Sequence, residues 1–167
     1  CGSEGTLAVI TKITLKLLPL PKERFTLLAG FDALATVSEA VLAILGSRVL
    51  PPTIELIPRA AVEIVLRRHS ELSFPFREHE ASLLIELDSR DGRTLEADVA
   101  GLEETLQKFA SDVVVASSPT QRDAIWSVRK SVRDSLANSG PFVEADSVVP
   151  RKNVAELVQA AVDVGRE

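Results

Sequence analysis

The sequence predicts an α+β fold of the ferredoxin-like kind, an antiparallel sheet with helices packed mainly on one face. Two observations on the 167 residues support this class: short β-branched runs alternate with longer amphipathic segments, and prolines and glycines stand at the boundaries between them. The amphipathic segments are too long to be hairpin connections, and the strands are too few for a doubly wound domain.

The first two predicted strands lie on either side of a proline-rich connection. Residues 7–18 are rich in β-branched side chains, and Ile13, Leu15 and Leu17 alternate with lysine and threonine, which predicts a half-buried strand. Pro19 and Pro21 end this run because proline has no amide donor. Residues 24–31 form the next predicted strand.

The middle of the chain predicts a helix, a strand, a second helix and a loop. Asp32 is placed to cap the first helix, and Gly46 to end it. Residues 53–57 read as a short strand, and Pro58 opens the second helix. The charged, irregular stretch 70–80 predicts a surface loop.

The second half of the chain begins with a strand at 81–87, a turn at 90–92 and a helix. The period of two places Leu83, Ile85 and Leu87 on the inner face of the sheet, with Leu84 and Glu86 on the other. The helix is the most distinct in the sequence, because its apolar residues recur at spacings of four and three: Leu95, Val99, Leu102, Leu106 and Phe109.

The rest of the chain predicts two more strands, each followed by a helix. Residues 113–115 predict a short strand, and Ser118 is a good N-cap for a helix that begins at Pro119 and runs to residue 137. Residues 142–149 predict a final strand. Pro150 then opens a last helix, whose apolar stripe is Ala155, Val158, Ala161 and Val162.

Composition excludes several classes of function. The formal net charge of −5 disfavours nucleic acid as a partner, and no apolar run approaches the ~20 residues that span a bilayer. The single cysteine, Cys1, cannot form an internal disulfide or a thiolate metal cage, which favours a reducing cytoplasm. Because no initiator methionine is present, we expect the chain to be a piece of a longer protein.

Few residues in the sequence have the spacing that a catalytic or metal-binding site requires. His69 and His79 lie ten residues apart, without the close helical pairing of metal ligands, and we expect both to be surface histidines. Glu55 and Glu86 each lie inside an apolar strand, where a carboxylate either faces solvent or serves a site.

A second polar group lies on one predicted helix and includes a tryptophan. Its members could hold a planar carboxylate in a bidentate fork, or could form a solvated basic face with the tryptophan over the core. Spacing leaves both interpretations open for these residues: Arg122, Asp123, Trp126, Arg129, Lys130 and Arg133.

Several short stretches, in order along the chain, carry a resemblance to a known family. They are Gly-Ser-Glu-Gly-Thr-Leu-Ala-Val-Ile-Thr at 2–11 with Thr-Leu-Lys-Leu-Leu-Pro at 14–19, Ile-Glu-Leu-Ile at 54–57, Leu-Ile-Glu-Leu at 84–87, Ile-Trp-Ser-Val-Arg-Lys at 125–130 and Asp-Ser-Val-Val-Pro at 146–150. Together they resemble FAD-linked oxidases of the vanillyl-alcohol oxidase superfamily, nearest to the branch of glycolate oxidase and the D-lactate dehydrogenases.

The resemblance implies that residues 1–20 are the C-terminal tail of an FAD-binding domain and residues 21–167 a cap (substrate) domain, truncated at its C-terminus. It implies oxidation of a D-2-hydroxy acid to the 2-oxo acid, with hydride transfer to flavin. Arg129 then binds the substrate carboxylate, and Trp126 packs beside it. The residues near the cofactor are Gly2, Ser3, Glu4, Gly5 and Thr6.

This chain departs from the family pattern at three places. Ala8 replaces a usual glycine, and residues 143–145 lack a lysine with which some relatives bind substrate. The relatives' His-x-Gly-Asp-Gly-Asn-x-His segment, which supplies metal ligands and a catalytic base, would lie beyond residue 167. We therefore expect no metal site within the chain, and we expect the chain alone to be inactive and to lack FAD.

The resemblance also implies partners. These are a small 2-hydroxy acid and the FAD-binding domain. The electron acceptor is left open between oxygen, a quinone, a cytochrome and a partner iron-sulfur subunit, and the oligomeric state is open between a single copy and a homo-oligomer. Attachment to a membrane would be only through a partner. The alternative is a non-catalytic ferredoxin-like module for effector binding or subunit interaction. Residues 1–18 favour the enzyme, because an independent module has no use for a flavin-loop sequence.

Overall fold

A four-stranded antiparallel sheet and five helices make up the part of the chain that the computed structural model describes, which is residues 2–89, 95–142, 144, 146–150 and 153–165. The α+β class is confirmed. The elements, in chain order, are β1 (Glu23–Phe31), α1 (Leu34–Leu45), β2 (Thr53–Pro58), α2 (Arg59–Arg68), β3 (Ala81–Ser89), α3 (Glu96–Leu106), β4 (Asp112–Val115), α4 (Pro119–Ala137) and α5 (Val154–Val164).

The strand order in the sheet is β2-β3-β1-β4, so the two nine-residue strands are central and the two shorter strands form the edges. Phe31 of β1 pairs with Ala81 of β3, and Leu27 of β1 pairs with Val115 of β4. On the other edge, Glu55 of β2 stands opposite Leu84 of β3. This register fixes which strand side chains lie beneath each helix.

Helices cover both faces of the sheet, which corrects the expectation that they pack mainly on one. α1 and α3 pack on the face that carries Leu83, Ile85 and Leu87, as the period of two predicted for that strand. α2 and α4 pack on the opposite face, against Leu28 and Leu84. The physical reason is that β1 and β3 carry apolar side chains on both faces. Helices must therefore pack on each face to remove these side chains from water.

The first face holds the packing that the sequence predicted best. The apolar stripe of α3, Leu95, Val99, Leu102 and Leu106, is buried there with the inner residues of β3. At helix ends, Ser118 caps α4 by accepting a hydrogen bond from the Gln121 amide, as expected, and Gly46 ends α1. Asp32 does not cap α1, whose N-cap is Ala33 without a side-chain bond.

Two predicted strands do not form. Residues 7–18 lie outside any strand and are exposed, with Leu7 at 86% and Leu17 at 85%. The described residues of 142–149 do not form a strand either. Val143 and Ala145 lie outside the described residues, and so does the turn predicted at 90–92. Alternation can specify a face, but a strand also needs a neighbour for its backbone hydrogen bonds. Neither segment pairs with the sheet edge in the part described.

α5 packs at the periphery. Its residues Val154 and Val158 line an apolar groove of about 270 Å³ together with Val41 of α1 and Ile54 of β2. Of the predicted stripe, Val158 and Val162 are half-buried and Ala161 is exposed, while the Ala155 side chain lies outside the described set. None of the described helices combines the length and apolar character that crossing a membrane requires.

Candidate functional site

The polar groups singled out on the sequence meet where α4 crosses the sheet. Ile125 and Val128 of α4 are buried against the sheet. Trp126 and Arg129, one position further along, therefore lie at the margins of the buried stripe and reach strand residues on the same face. Two carboxylates on β2 and β3 receive them.

Glu86 of β3 is the first of these carboxylates, and it is bonded through both oxygens. Its Oε2 accepts a hydrogen bond of 2.8 Å from the indole Nε1 of Trp126, and its Oε1 lies 3.2 Å from Nε of Arg24. The Glu86 side chain is only 13% exposed. Of the two interpretations of this residue, the solvated sheet face is therefore excluded, and the carboxylate ties β1, β3 and α4 together.

Glu55 of β2 is the second carboxylate, and it binds Arg129. A single oxygen, Oε2, accepts from Nε at 2.9 Å and lies 2.8 Å from Nη2. The side chains are 37% exposed for Arg129 and 33% for Glu55. The guanidinium is thus fixed at one edge while part of it stays accessible.

The other basic residues of α4 do not join Arg129. Arg122 binds the neighbouring Asp123 through Nε and Nη2, at 3.1 and 3.0 Å. Arg133 binds Glu144 at 3.0 Å, and both of those side chains are mostly exposed. Each of the three arginines therefore has its own carboxylate, which argues against a single anion clamp made from all of them.

A cleft of about 330 Å³ lies on the β1 side of α4. Its lining includes Arg24, Glu86 and Trp126, and Lys130 stands over the Trp126 ring with Nζ 5.9 Å from the centroid. Arg129 is not part of this lining. The two sides of α4 hence present different polar surfaces, one around Trp126 and the other around Arg129.

The glycine-rich segment near the N-terminus forms an exposed turn. The Thr6 amide and hydroxyl both donate to the Ser3 carbonyl, at 2.9 and 2.6 Å. Gly2 and Gly5 have φ of +79° and +77°, a region that favours glycine, and a β-carbon at either would meet nothing within 4 Å. The backbone of this turn is therefore open to close approach by another group.

A cluster around His79 was not anticipated from the sequence. Its Nδ1 lies 2.7 Å from Asp32 Oδ1 and its Nε2 lies 3.0 Å from Asp112 Oδ2. Ser111 donates to Asp32 Oδ2 at 2.6 Å, and the Phe76 ring meets the imidazole edge to face. With its side chain only 13% exposed, His79 is not the surface histidine that we expected.

The His79 cluster joins the ends of three strands. Asp32 directly follows β1, Asp112 begins β4, and His79 lies two residues before β3. The hydrogen bond from Ser111, and after it the one from His79, lowers the pKa of the Asp32 carboxyl. The imidazole also lies directly over Gly30, leaving no room for a side chain there. The only sequence signal was the position of the two aspartates at strand ends.

Metal binding finds no support in the part of the chain that the structure describes, where no three His, Cys, Asp or Glu side chains are grouped to hold an ion. The Asp32–His79–Asp112 contacts are hydrogen-bond contacts between the imidazole and two carboxylates.

Comparison with known proteins adds a family. A family model described as "FAD linked oxidases, C-terminal domain" matches residues 20–166. The chain is 30% identical over 165 residues to "Glycolate oxidase subunit GlcD" of Bacillus subtilis, covering 98% of this chain and 34% of that protein.

Two proteins named "D-lactate dehydrogenase" are similar to the same degree. The one from Anaerostipes hadrus is 29% identical over 163 residues, covering 94% of this chain and 34% of that protein. The one from Archaeoglobus fulgidus is 30% identical over 167 residues, covering 99% and 36%. The chain thus spans about a third of the length of the curated relatives it matches.

Proposed function

The chain belongs to the family of FAD-linked oxidase C-terminal domains, and from this membership we propose that it is the substrate cap of an FAD-dependent enzyme that oxidises a D-2-hydroxy acid. Residues 21–167 form the cap in this proposal, and residues 1–20 are the tail of the FAD-binding domain. The substrate is of the glycolate or D-lactate type, in line with the names of the relatives. Its product is the 2-oxo acid.

The observation that carries the proposal is the state of Arg129. Its guanidinium is 37% exposed and is held at one edge by Glu55, so it offers a fixed cation to a small anion. A guanidinium has five N–H donors in a planar fork that matches a carboxylate. Arg122 and Arg133 are bound to carboxylates on or near their own helix, and neither is anchored to a strand. Arg129 is accordingly the residue to which we assign the substrate carboxylate.

Holding the carboxylate orients the rest of the substrate. A 2-hydroxy acid bound by its carboxylate at Arg129 has its hydroxyl-bearing carbon placed in a restricted set of positions, which favours reaction over free rotation. FAD, when bound, supplies the acceptor for the hydride that leaves this carbon. The exposed turn at Gly2, Ser3, Glu4, Gly5 and Thr6 fits a role near the cofactor, because its two left-handed glycines leave the backbone uncovered.

The test is Arg129→Lys in the full-length protein that contains this chain. Lysine keeps the charge but lacks the planar fork, so kcat/KM for D-lactate or glycolate should fall at least tenfold, about 1.4 kcal/mol of transition-state binding. Arg133→Lys is the matched control, since Arg133 lies on the same helix and pairs with an exposed carboxylate. It should stay within about twofold of wild type. FAD absorbance should be unchanged in both variants. An Arg129→Lys enzyme with wild-type kcat/KM would remove the basis of the assignment.

A further inference from the structure

Glu55 holds Arg129 in an arrangement that leaves a particular edge of the guanidinium for a ligand. We propose that Glu55 is a positioning residue, which orients Arg129 for the substrate carboxylate; this inference rests on the proposed function. Both contacts from Arg129, through Nε and Nη2, converge on one oxygen of Glu55. The edge formed by Nη1 and the outer hydrogen of Nη2 therefore points away from Glu55.

The direction of that free edge decides how a substrate can bind. A planar carboxylate makes two parallel hydrogen bonds with an arginine either along the Nε and Nη2 edge or along the Nη1 and Nη2 edge. Glu55 occupies the first edge, so the substrate carboxylate takes the second. The anchored carboxylate and the bound carboxylate then lie on different sides of one guanidinium.

The anchor belongs to a strand that is hydrogen-bonded into the sheet. Glu55 is in the middle of β2, and its backbone is opposite Leu84 in the β2–β3 ladder. Leu84 is completely buried. A long arginine side chain has many rotamers in solution, and tying it to a strand before the ligand arrives reduces the freedom that is lost on binding. The ion pair thus sets the direction of Arg129 in advance.

A purely structural role for Glu55 makes a different prediction from a positioning role. If Glu55 only linked β2 to α4, its removal would lower activity to the same extent whether or not residue 129 is arginine. If Glu55 acts through Arg129, its removal should matter only when the guanidinium is present. Glu55→Gln removes the negative charge but keeps the hydrogen-bond acceptor, since the amide oxygen can still accept from Nε of Arg129.

The experiment is a double-mutant cycle in the full-length protein, with kcat and KM for D-lactate and glycolate, and with oxalate affinity by calorimetry as a readout without turnover. Glu55→Ala should lower kcat/KM about tenfold in the wild-type background and less than twofold in the Arg129→Lys background. Glu55→Gln should keep kcat within about threefold. It should also bind oxalate more tightly, because a competing negative charge beside the guanidinium is gone.

Glu144→Gln is the control, since it removes the exposed partner of Arg133 on the same helix. It should leave kcat/KM and oxalate affinity unchanged. The positioning role is overturned if Glu55→Ala is as active as wild type, or if its loss is equally large beside Arg129→Lys. Wild-type protein that oxidises neither hydroxy acid, or an Arg129→Lys protein with full activity, would instead count against the proposed function.

Discussion

Replacing Gly30 with alanine tests whether the His79 cluster holds the strand ends together. Gly30 lies in β1, directly under the imidazole of His79. A β-carbon there would lie 2.7 Å from Nε2 and 2.9 Å from Cγ of that ring, closer than packed atoms approach. Either the ring or the strand must move.

The expected loss of stability depends on whether the backbone of β1 or the ring of His79 moves. The backbone of Gly30 is fixed between β3 and β4, where it pairs with Ser82 and Asp112. The ring of His79 must therefore leave its place, with loss of its two carboxylate contacts and of the edge contact with Phe76. Overpacking of this kind typically destabilises a protein by about 1–3 kcal/mol. A glycine-to-alanine change without a clash would instead stabilise a strand by roughly 0.5–1 kcal/mol.

Urea unfolding of the chain measures this difference, followed by far-ultraviolet circular dichroism. Gly101→Ala is the matched control, because Gly101 is exposed in α3 and a β-carbon there meets nothing within 4 Å. The same methyl group should raise the free energy of unfolding by roughly 0.5–1 kcal/mol at Gly101, and lower it at Gly30.

A second background shows whether His79 is the cause. In His79→Ala protein the obstructing ring is gone, so Gly30→Ala should become neutral or stabilising there. Gly30→Ala protein as stable as wild type would refute the packing argument. A loss of equal size with and without the His79 ring would assign the cost to the strand rather than to the cluster.

Two further predictions concern stability. Leu102→Ala should lower the free energy of unfolding in urea by about 2–5 kcal/mol, because Leu102 is 1% exposed. Leu42 is 45% exposed, so Leu42→Ala should change it by no more than about 0.5 kcal/mol. Equal effects of the two substitutions would contradict the placement of α3. The folded state lowers the Asp32 pKa, so this carboxylate stabilises the fold above its unfolded pKa of about 4, and the contribution is lost as pH falls through the lower folded value. Asp32→Asn should therefore flatten the acid side of a stability-against-pH curve, and an unchanged acid side would argue against the Ser111 and His79 bonds to Asp32.

The parts of the fold that the sequence could predict are those encoded within one element. Leu95, Val99, Leu102 and Leu106 repeat at helical spacing, and their burial in α3 depends only on one apolar surface lying nearby. Ser118 as the cap of α4 is equally local. The covering of both sheet faces was harder to predict, because the apolar runs of β1 and β3 do not say how many helices lie on each side.

The pairings at the site depend on contacts between distant parts of the chain. Glu55 and Arg129 are 74 residues apart, and Glu86 and Trp126 are 40 apart. The sequence marked all four as unusual, but it gave no means of joining strand carboxylates to helix donors. His79 was misjudged for the same reason, since its partners lie 47 and 33 residues away. Long-range pairing is a property of the topology and not of spacing.

The strand order also has a consequence for how the chain acquires its structure. β1 ends at Phe31, yet its two neighbours in the sheet begin much later in the sequence, β3 at Ala81 and β4 at Asp112. During synthesis its buried residues, Leu27 and Leu28 among them, must wait unpaired until much of the chain has emerged. Such separation of paired segments raises contact order and slows folding. Until β3 and β4 have been synthesised, β1 is an apolar segment without its neighbours, and such a segment is prone to aggregation. A chaperone that binds the nascent chain would therefore act best on β1.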